Sequence, residues 1–509
     1  MPQITQAGAL NTTALLVPDL YVQIVPPQVS QLNGVPSNGL GIVGTAQWGP
    51  VNSPVTVGSM AQFASLFGAI QPRKYDLGTA VAAAVLQGAQ NMRCVRVTDG
   101  TDTAALIAIL STCLTLTSKY TGTLGNSCQA TIANGSAAST YKITIAMPGQ
   151  QPETFDNIAG SGNALWVNMA AAINSGQYGI RGPSNLVVAT AGAGTTVPSL
   201  ATYTLAGGTD GATTITSTVL VGQDTVPRKG MYALRGTGAA VGMLADADDS
   251  TQWTNQVAFG LSEGVYMIGV GPAGDTISNA ATVKATAGID SYAFKLLFGD
   301  WVYFNDTVNG QTRLISPQGF VAGLLSNLAP QNSSLNKQLY GIVGTQKSYA
   351  NQVYSTAELQ QLGQAGIDII TNPIPAGNQF GVRFGHNSSS NPAINGDNYT
   401  RMTNYLATTL AASMGLFVGQ LQSSQPNDPL RARVKATVDN FLQNMKDQSQ
   451  LDDFTTQCDQ NNNPPSRVAA SYLQDDVTVK YLSVVEKLLV NLVAGQTVTV
   501  TRQQTQPVG

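Results

Sequence analysis

Residues 76–97 read DLGTAVAAAVLQGAQNMRCVRV, and this stretch sets the unit from which the fold is built. Asp76 is placed to cap a helix, its carboxylate accepting from first-turn amides. Leu77, Val81 and Val85 then recur every fourth residue on one helical face. Gly88 supplies the stop, and residues 92–97 are an apolar run of strand length. Working outward, residues 40–45 form a short apolar strand closed by Gly49-Pro50. Ser59 caps a short helix carrying Met60, Phe63, Leu66 and Phe67, ended by Gly68. Strand, helix and strand in this order predict an α/β unit.

The texture changes after about residue 116. Residues 120–211 are rich in Gly, Ala, Ser and Thr, with strands predicted at 141–145 and 186–189, a helix at 164–174 and a glycine linker at 207–211. A β-rich inserted module follows from this. The α/β texture returns at 230–304, with buried strands at 265–270 and 293–298. Ser355-Thr356-Ala357-Glu358 is a capping box, followed by Leu359 and Leu362, a stop at Gly366 and a strand at 367–370. Asp428-Pro429 opens a long helix whose stripe is Leu430, Val434, Val438, Phe441 and Met445. Residues 477–481 and 496–501 alternate as half-exposed strands.

Only 10% of the 509 residues are charged, net −3, while 43% are hydrophobic; soluble chains carry about 25% charge. The balance is made up by Ser, Thr, Asn, Gln and Gly, which excludes a membrane protein and a disordered chain. No basic excess exists to neutralise phosphates, which disfavours nucleic acid as a partner. The best apolar run, 488–494, is interrupted by Asn491, far short of the roughly 20 residues a span needs. The chain opens Met1-Pro2-Gln3-Ile4-Thr5 without a basic leader, so Cys94, Cys113, Cys128 and Cys458 are expected as free thiols of a reducing compartment. So sparse a charge suits a surface that meets other protein. The deficit is deepest before Arg73, where Asp19 is the lone charged residue.

Little chemistry is on offer. Gly39, Gly41 and Gly44 lie in a strand. Gly269-Val270-Gly271-Pro272-Ala273-Gly274 follows a strand and precedes a helix, with Asp300 where a ribose-binding acid could stand. A Rossmann-like nucleotide-dependent enzyme is therefore the alternative reading, although Pro272 removes one donor from the cradle. His386 is the lone histidine, and no G-x-S-x-G elbow, H-E-x-x-H or phosphate loop accompanies it. The acid pairs Asp452-Asp453 and Asp475-Asp476 read as solvated turns or helix caps. No catalytic residue, cofactor site or metal site is assigned, and the chain is not read as an enzyme. What remains is two low-charge, strand-forming ends that can pair with a neighbour.

Pro18-Asp19-Leu20-Tyr21-Val22-Gln23-Ile24, Gly41-Ile42-Val43-Gly44-Thr45-Ala46 and Trp48-Gly49-Pro50-Val51-Asn52-Ser53-Pro54, taken in order with the later blocks, resemble the contractile tail sheath proteins of bacteriophages. Residues 18–24 resemble the family's N-terminal Pro-Gly-Val-Tyr segment, with Asp19 in place of glycine. Residues 41–46, 48–54, 63–68 and 80–97 resemble the blocks that follow, and 122–126 the start of an inserted domain. Residues 316–323 resemble a Pro-Ser-Gly-x-x-Ala-Gly block, with Gln318 for serine. Residues 366–368, 380–383, the C-terminal helix, 458–459 and 477–481 continue the match in order.

The resemblance implies an α/β and α+β multidomain fold, with a core built from N- and C-terminal segments. The division is an N-terminal arm (1–26), core segments (27–116 and 212–329), an inserted β-rich outer domain (117–211), a tube-proximal α/β domain (330–490) and a C-terminal arm (491–509). It implies a homo-oligomer of stacked six-fold rings around a tail tube. Baseplate and tail terminator proteins are further partners, with no direct nucleic acid and no membrane insertion. The location is the virion tail, after assembly in the host cytoplasm. Strand exchange between subunits is expected at Leu20, Tyr21, Val22, Gln23, Ile24 and Val25, at Val477, Val479 and Tyr481, and at Thr497, Val498, Thr499, Val500 and Thr501.

Overall fold

The computed structural model describes residues 3–5, 21–23, 32–492 and 494. Its centre is a six-stranded sheet in the order Phe294–Leu297, Tyr266–Val270, Val241–Leu244, Leu40–Gly44, Met92–Arg96, Pro54–Val57. The first five run parallel, and Pro54–Val57 closes one edge antiparallel. Leu40–Gly44, Val241–Leu244, Tyr266–Val270 and Phe294–Leu297 are buried at every residue. That is the pattern of a parallel sheet covered on both faces. Ile42, Cys94 and Ile268 turn toward Phe63, Val81 and Phe320 on one side. Val43, Val95 and Met267 turn toward Leu220, Trp253 and Phe259 on the other. The fold is thus a mixed α/β multidomain one, as the sequence predicts.

The local signals are realised. Ser59 Oγ accepts from Gln62 N at the start of helix Met60–Phe67, and Asp76 Oδ2 from Thr79 N at the start of Leu77–Leu86. Helix Gln318–Asn327 lies on Leu77–Leu86 through small residues. A Cβ at Gly323 would stand 2.5 Å from Ala84 Cα, so only glycine permits this approach. Gln318, expected as a departure from its motif, is fully buried; its amide donates to Ile268 O at 2.8 Å and ties the helix start to the sheet.

Between Ala105 and Leu205 the chain builds a second core from antiparallel sheets. One is ordered Val187–Ala191, Leu114–Ser118, Leu106–Ile109. The other is ordered Glu153–Ile158, Tyr141–Ala146, Gln129–Asn134, Thr202–Thr204, with helix Asn163–Ser175 packed against them. Residues 207–211 are not the free linker expected. Thr209 bridges to Thr103, and Asp210 accepts from Arg73 at 2.6 Å and from Thr123 N at 2.7 Å. Fully buried Arg96 donates to Gly49 O, Thr121 O and Asp210 O.

The expected strand at 367–370 is shorter, Ile370–Thr371 paired with Gly381–Val382. Upstream, Asp368 makes a single bridge to Leu297 and turns its carboxylate into a buried ionic cluster. Helices Asp397–Ser413 and Pro429–Asp447 close the last third around Leu32, Met402, Leu406, Phe441 and Leu442. At the other end Gln3–Thr5 and Tyr21–Gln23 form a two-stranded parallel sheet. Leu20, Ile24 and Val25, and Thr497 to Thr501, lie outside the described residues. Among the described residues no helix is long and apolar enough to cross a membrane.

Candidate functional site

Helix Pro429–Asp447 begins as its sequence dictates: Asp428 caps it, accepting from Leu430 N, and proline occupies the first turn. All five stripe residues, Leu430, Val434, Val438, Phe441 and Met445, are buried. A hairpin packs on this helix, with Asp453–Gln457 antiparallel to Asp476–Lys480. Phe454 stands opposite Val479 and Thr456 opposite Val477, all half-buried. Asp453, Thr455, Gln457, Thr478 and Lys480 point outward and are exposed. This sheet has two strands only, so among the described residues each strand has an outer edge without a partner. Such an edge is a template for a further strand. The expected pairing residues Val477 and Val479 sit on it. Tyr481 follows, edge-on to Tyr399 at 5.6 Å with its hydroxyl 3.0 Å from Thr403 Oγ1.

The acid pairs are neither helix caps nor simply solvated turns. Asp453 and Asp476 begin the two hairpin strands, and Asp452 pairs with Lys480 at 2.6 Å across the hairpin's end. Asp475 is withdrawn from water, and no hydrogen-bond partner reaches either of its carboxylate oxygens.

From Leu482 to Leu492 the described chain has no regular structure, and its apolar side chains mostly face water. Leu488, Leu489 and Leu492 are 84%, 82% and 85% exposed; Val485 and Val490 are similarly open. A run this apolar has no reason to lie on the surface of an isolated molecule. The resemblance places the C-terminal arm at 491–509; the exposed apolar stretch among the described residues runs from Leu482 to Leu492. The signal was present in the letters: from Val484 to Leu492 no polar face alternates with the apolar one.

The arm leaves from a fixed base. Glu486 pairs with His386 at 2.7 Å, and Asn398 donates to Leu482 O at 3.2 Å. The backbone of His386 is held by a buried cluster that the sequence reading missed. Lys295 Nζ lies 2.5 Å from Asp368, 3.1 Å from Asp397 and 2.9 Å from His386 O, with all three charged side chains fully buried. Asp368 also accepts from the amides of Ile369, Phe384, Gly385 and His386. Asp397 accepts from Tyr266 at 2.6 Å and from Ser334. Burial pushes the Asp397 carboxyl up, but Lys295 and these hydrogen bonds outweigh it and hold it below the usual range. Burial likewise depresses Lys295, and its two carboxylates more than restore it. The cluster joins central-sheet strand Phe294–Leu297 to the first residue of helix Asp397–Ser413.

The Gly269–Gly274 loop is not built as a phosphate cradle. Gly271 N donates to Leu297 O at 3.0 Å and Gly274 N to Gly299 O at 2.8 Å, so both amides are engaged. A Cβ at Gly269 would stand 2.1 Å from Phe294 Cζ, so this glycine serves sheet packing. Asp300 is engaged too, accepting from Lys347 N and Tyr354 Oη. All four cysteines are free and buried. Burial pushes the Cys128 and Cys458 thiols up to about 12, far from thiolate reactivity. Among the described residues no group of three or more His, Cys, Asp or Glu is placed to hold a metal.

The open-edged hairpin, the long helix and the apolar arm fall within residues 389–495, which match the phage tail sheath C-terminal domain family. The fold is that of a tail sheath protein. A sheath tail protein from Desulfitobacterium hafniense superposes with a TM-score of 0.58 at 16% identity, over 86% of this chain and 93% of that one. A sheath tail protein from Listeria innocua gives 0.59 at 12% identity, over 86% and 90%. The helical sheath of the anti-feeding prophage in its contracted state gives 0.53 at 11% identity, over 94% and 99%. No curated protein matches the sequence. The sheath fold therefore extends over nearly the whole chain, central sheet and inserted β-rich region included.

Proposed function

We propose that this chain is the structural subunit of a phage contractile tail sheath. It polymerises as stacked six-fold rings around a tail tube and contracts on baseplate triggering, driving the tube through the host envelope. The observation that carries this reading is the exposed apolar arm leaving an open-edged hairpin inside the region matched to the sheath C-terminal domain. An arm that leaves one copy and an edge that accepts a strand form a heterologous contact, which propagates instead of closing. In this reading Leu20 to Val25 and Thr497 to Thr501 are exchanged strands, and Val477, Val479 and Tyr481 belong to the acceptor hairpin. Residues 330–490 face the tube, and residues 117–211 face outward.

Contraction needs no catalytic group. Subunits tethered by strands can rotate and repack between two lattices, a switch between bistable interfaces. Neutral polar surfaces suit this, because they change partners without stripping water from many ions. The subunit belongs to the virion tail, is assembled in the host cytoplasm, and meets tube, baseplate and terminator proteins. Electron microscopy of the purified protein is the test. Hollow striated cylinders are expected, and they should be lost when residues 1–26 or 496–509 are deleted. Full-length cylinders from both truncated forms would overturn the arm-exchange mechanism.

A further inference from the structure

A second acceptor surface lies beside the hairpin. A groove of about 520 Å³ opens between the end of helix Asp397–Ser413, helix Pro429–Asp447 and the chain entering strand Asp476–Lys480. Its floor is apolar, with Leu410, Met414, Phe417 and Val434, and Val418 extends the apolar rim at 84% exposed. One charge is set into this wall, the Asp475 carboxylate, with both oxygens buried and without a hydrogen-bond partner. The charged groups around it do not satisfy it. Lys435 is occupied by Asp439 at 2.7 Å and by Thr456, while Asp439 and Asp476 add like charge. A desolvated carboxylate in an apolar groove calls for an apolar partner carrying one cation.

The chain contains one such segment in its described part. Lys487 is exposed, makes no ion pair among the described residues, and is followed by exposed Leu488, Leu489, Val490 and Leu492. The N-terminal end cannot serve, since residues 1–72 contain no Lys or Arg. Nor is the segment directed to its own groove. Strand Asp476–Lys480 carries the chain away from Asp475 by about 3.3 Å per residue, and the Glu486–His386 pair then fixes it at the other end of the hairpin.

We propose that this groove receives the Lys487–Leu492 segment of a second copy of the chain, with Lys487 of that copy paired to Asp475. The inference rests on the sheath reading and adds to it an ionic latch, distinct from strand addition at the hairpin edge. Pairing the charge only on assembly makes the contact selective for the correct register.

Charge reversal tests it. Asp475→Lys and Lys487→Asp should each raise the concentration needed for polymerisation by about tenfold or more, and the double variant should recover most of the loss. Equal loss in the singles and the double overturns the proposal, as does unchanged assembly of both singles. Native protein provides a second measurement that needs no variant. Isotopically heavy and light chains are co-assembled, treated with a carbodiimide, and digested for mass spectrometry. A heavy–light isopeptide between Asp475 and Lys487 is expected. Cylinders that form without this link overturn the latch alone and leave the sheath function standing. Failure of the native chain to form cylinders removes the sheath reading and the latch with it.

Discussion

Replacing Lys295 by methionine keeps the stem and deletes the cation between two fully buried carboxylates. The ammonium stands 2.5 Å from Asp368 and 3.1 Å from Asp397. Without it Asp368 retains its four backbone donors, and Asp397 retains Tyr266 and Ser334, but two negative charges share a dry site. Breaking a buried pair this way costs about 3–5 kcal/mol. The upper end is expected here, because both partners are orphaned at once. The pH dependence has a defined sign. In the native protein Asp397 is held below its ordinary range, so its contribution is present at neutral pH and is lost as pH falls through that depressed value. In Lys295→Met a carboxyl is raised above its unfolded value, so the variant is relatively best in acid and loses stability as pH rises through that raised value. The two stability curves should therefore converge from pH 7 toward pH 5. Urea unfolding followed by circular dichroism at both pH values measures this. A loss below about 1 kcal/mol at pH 7, or a gap that widens in acid, would refute the reasoning.

The Leu488→Ser/Leu489→Ser variant should abolish cylinder formation while changing the unfolding free energy of the dispersed subunit by less than about 0.5 kcal/mol, since both side chains face water there; micrographs and a urea titration check the two halves. Gly323→Ala gains about 1 kcal/mol of helix propensity but drives a methyl to 2.5 Å from Ala84 Cα. Overpacking of about 1–3 kcal/mol or more should win, seen as a lowered melting temperature. Asp246 is buried in the left-handed region with φ +53°, and burial pushes its carboxyl up to about 6. Its contribution is full below about pH 4 and lost as pH rises through 6, so Asp246→Asn should be more favourable at pH 8 than at pH 4 by up to about 3 kcal/mol. Equal effects at both pH values in denaturant titrations would contradict this.

Features written locally were legible in the sequence. Ser59, Asp76, Ser355 and Asp428 cap the helices they were expected to cap, because an N-cap acts over three residues of chain. The buried strands at 40–45, 92–97 and 265–270 were legible because a covered parallel sheet leaves continuous apolar runs. The Lys295–Asp368–Asp397 cluster was not, since its members lie 73 and 102 residues apart and meet only through topology. The linker reading of 207–211 failed for a related reason: glycine content reports backbone freedom, while Arg73 and Arg96, more than a hundred residues upstream, immobilise the segment. The exposed stretch 482–492 carries no strand signal, since Val484 to Leu492 does not alternate.

The chain enters and leaves the β-rich region through one narrow neck. Asp99 N donates to Gly211 O at 2.8 Å and Thr103 bridges to Thr209, so the departing and returning segments run side by side. A segment joined through so narrow a neck can be exchanged in evolution, or enlarged to display a foreign peptide, without disturbing the strands that register the sheet. Arg96 grips both sides of that neck through Thr121 O and Asp210 O. In the sheath function proposed above, the region is accordingly a cassette that can be replaced but not swung, and it turns through the same angle as its subunit.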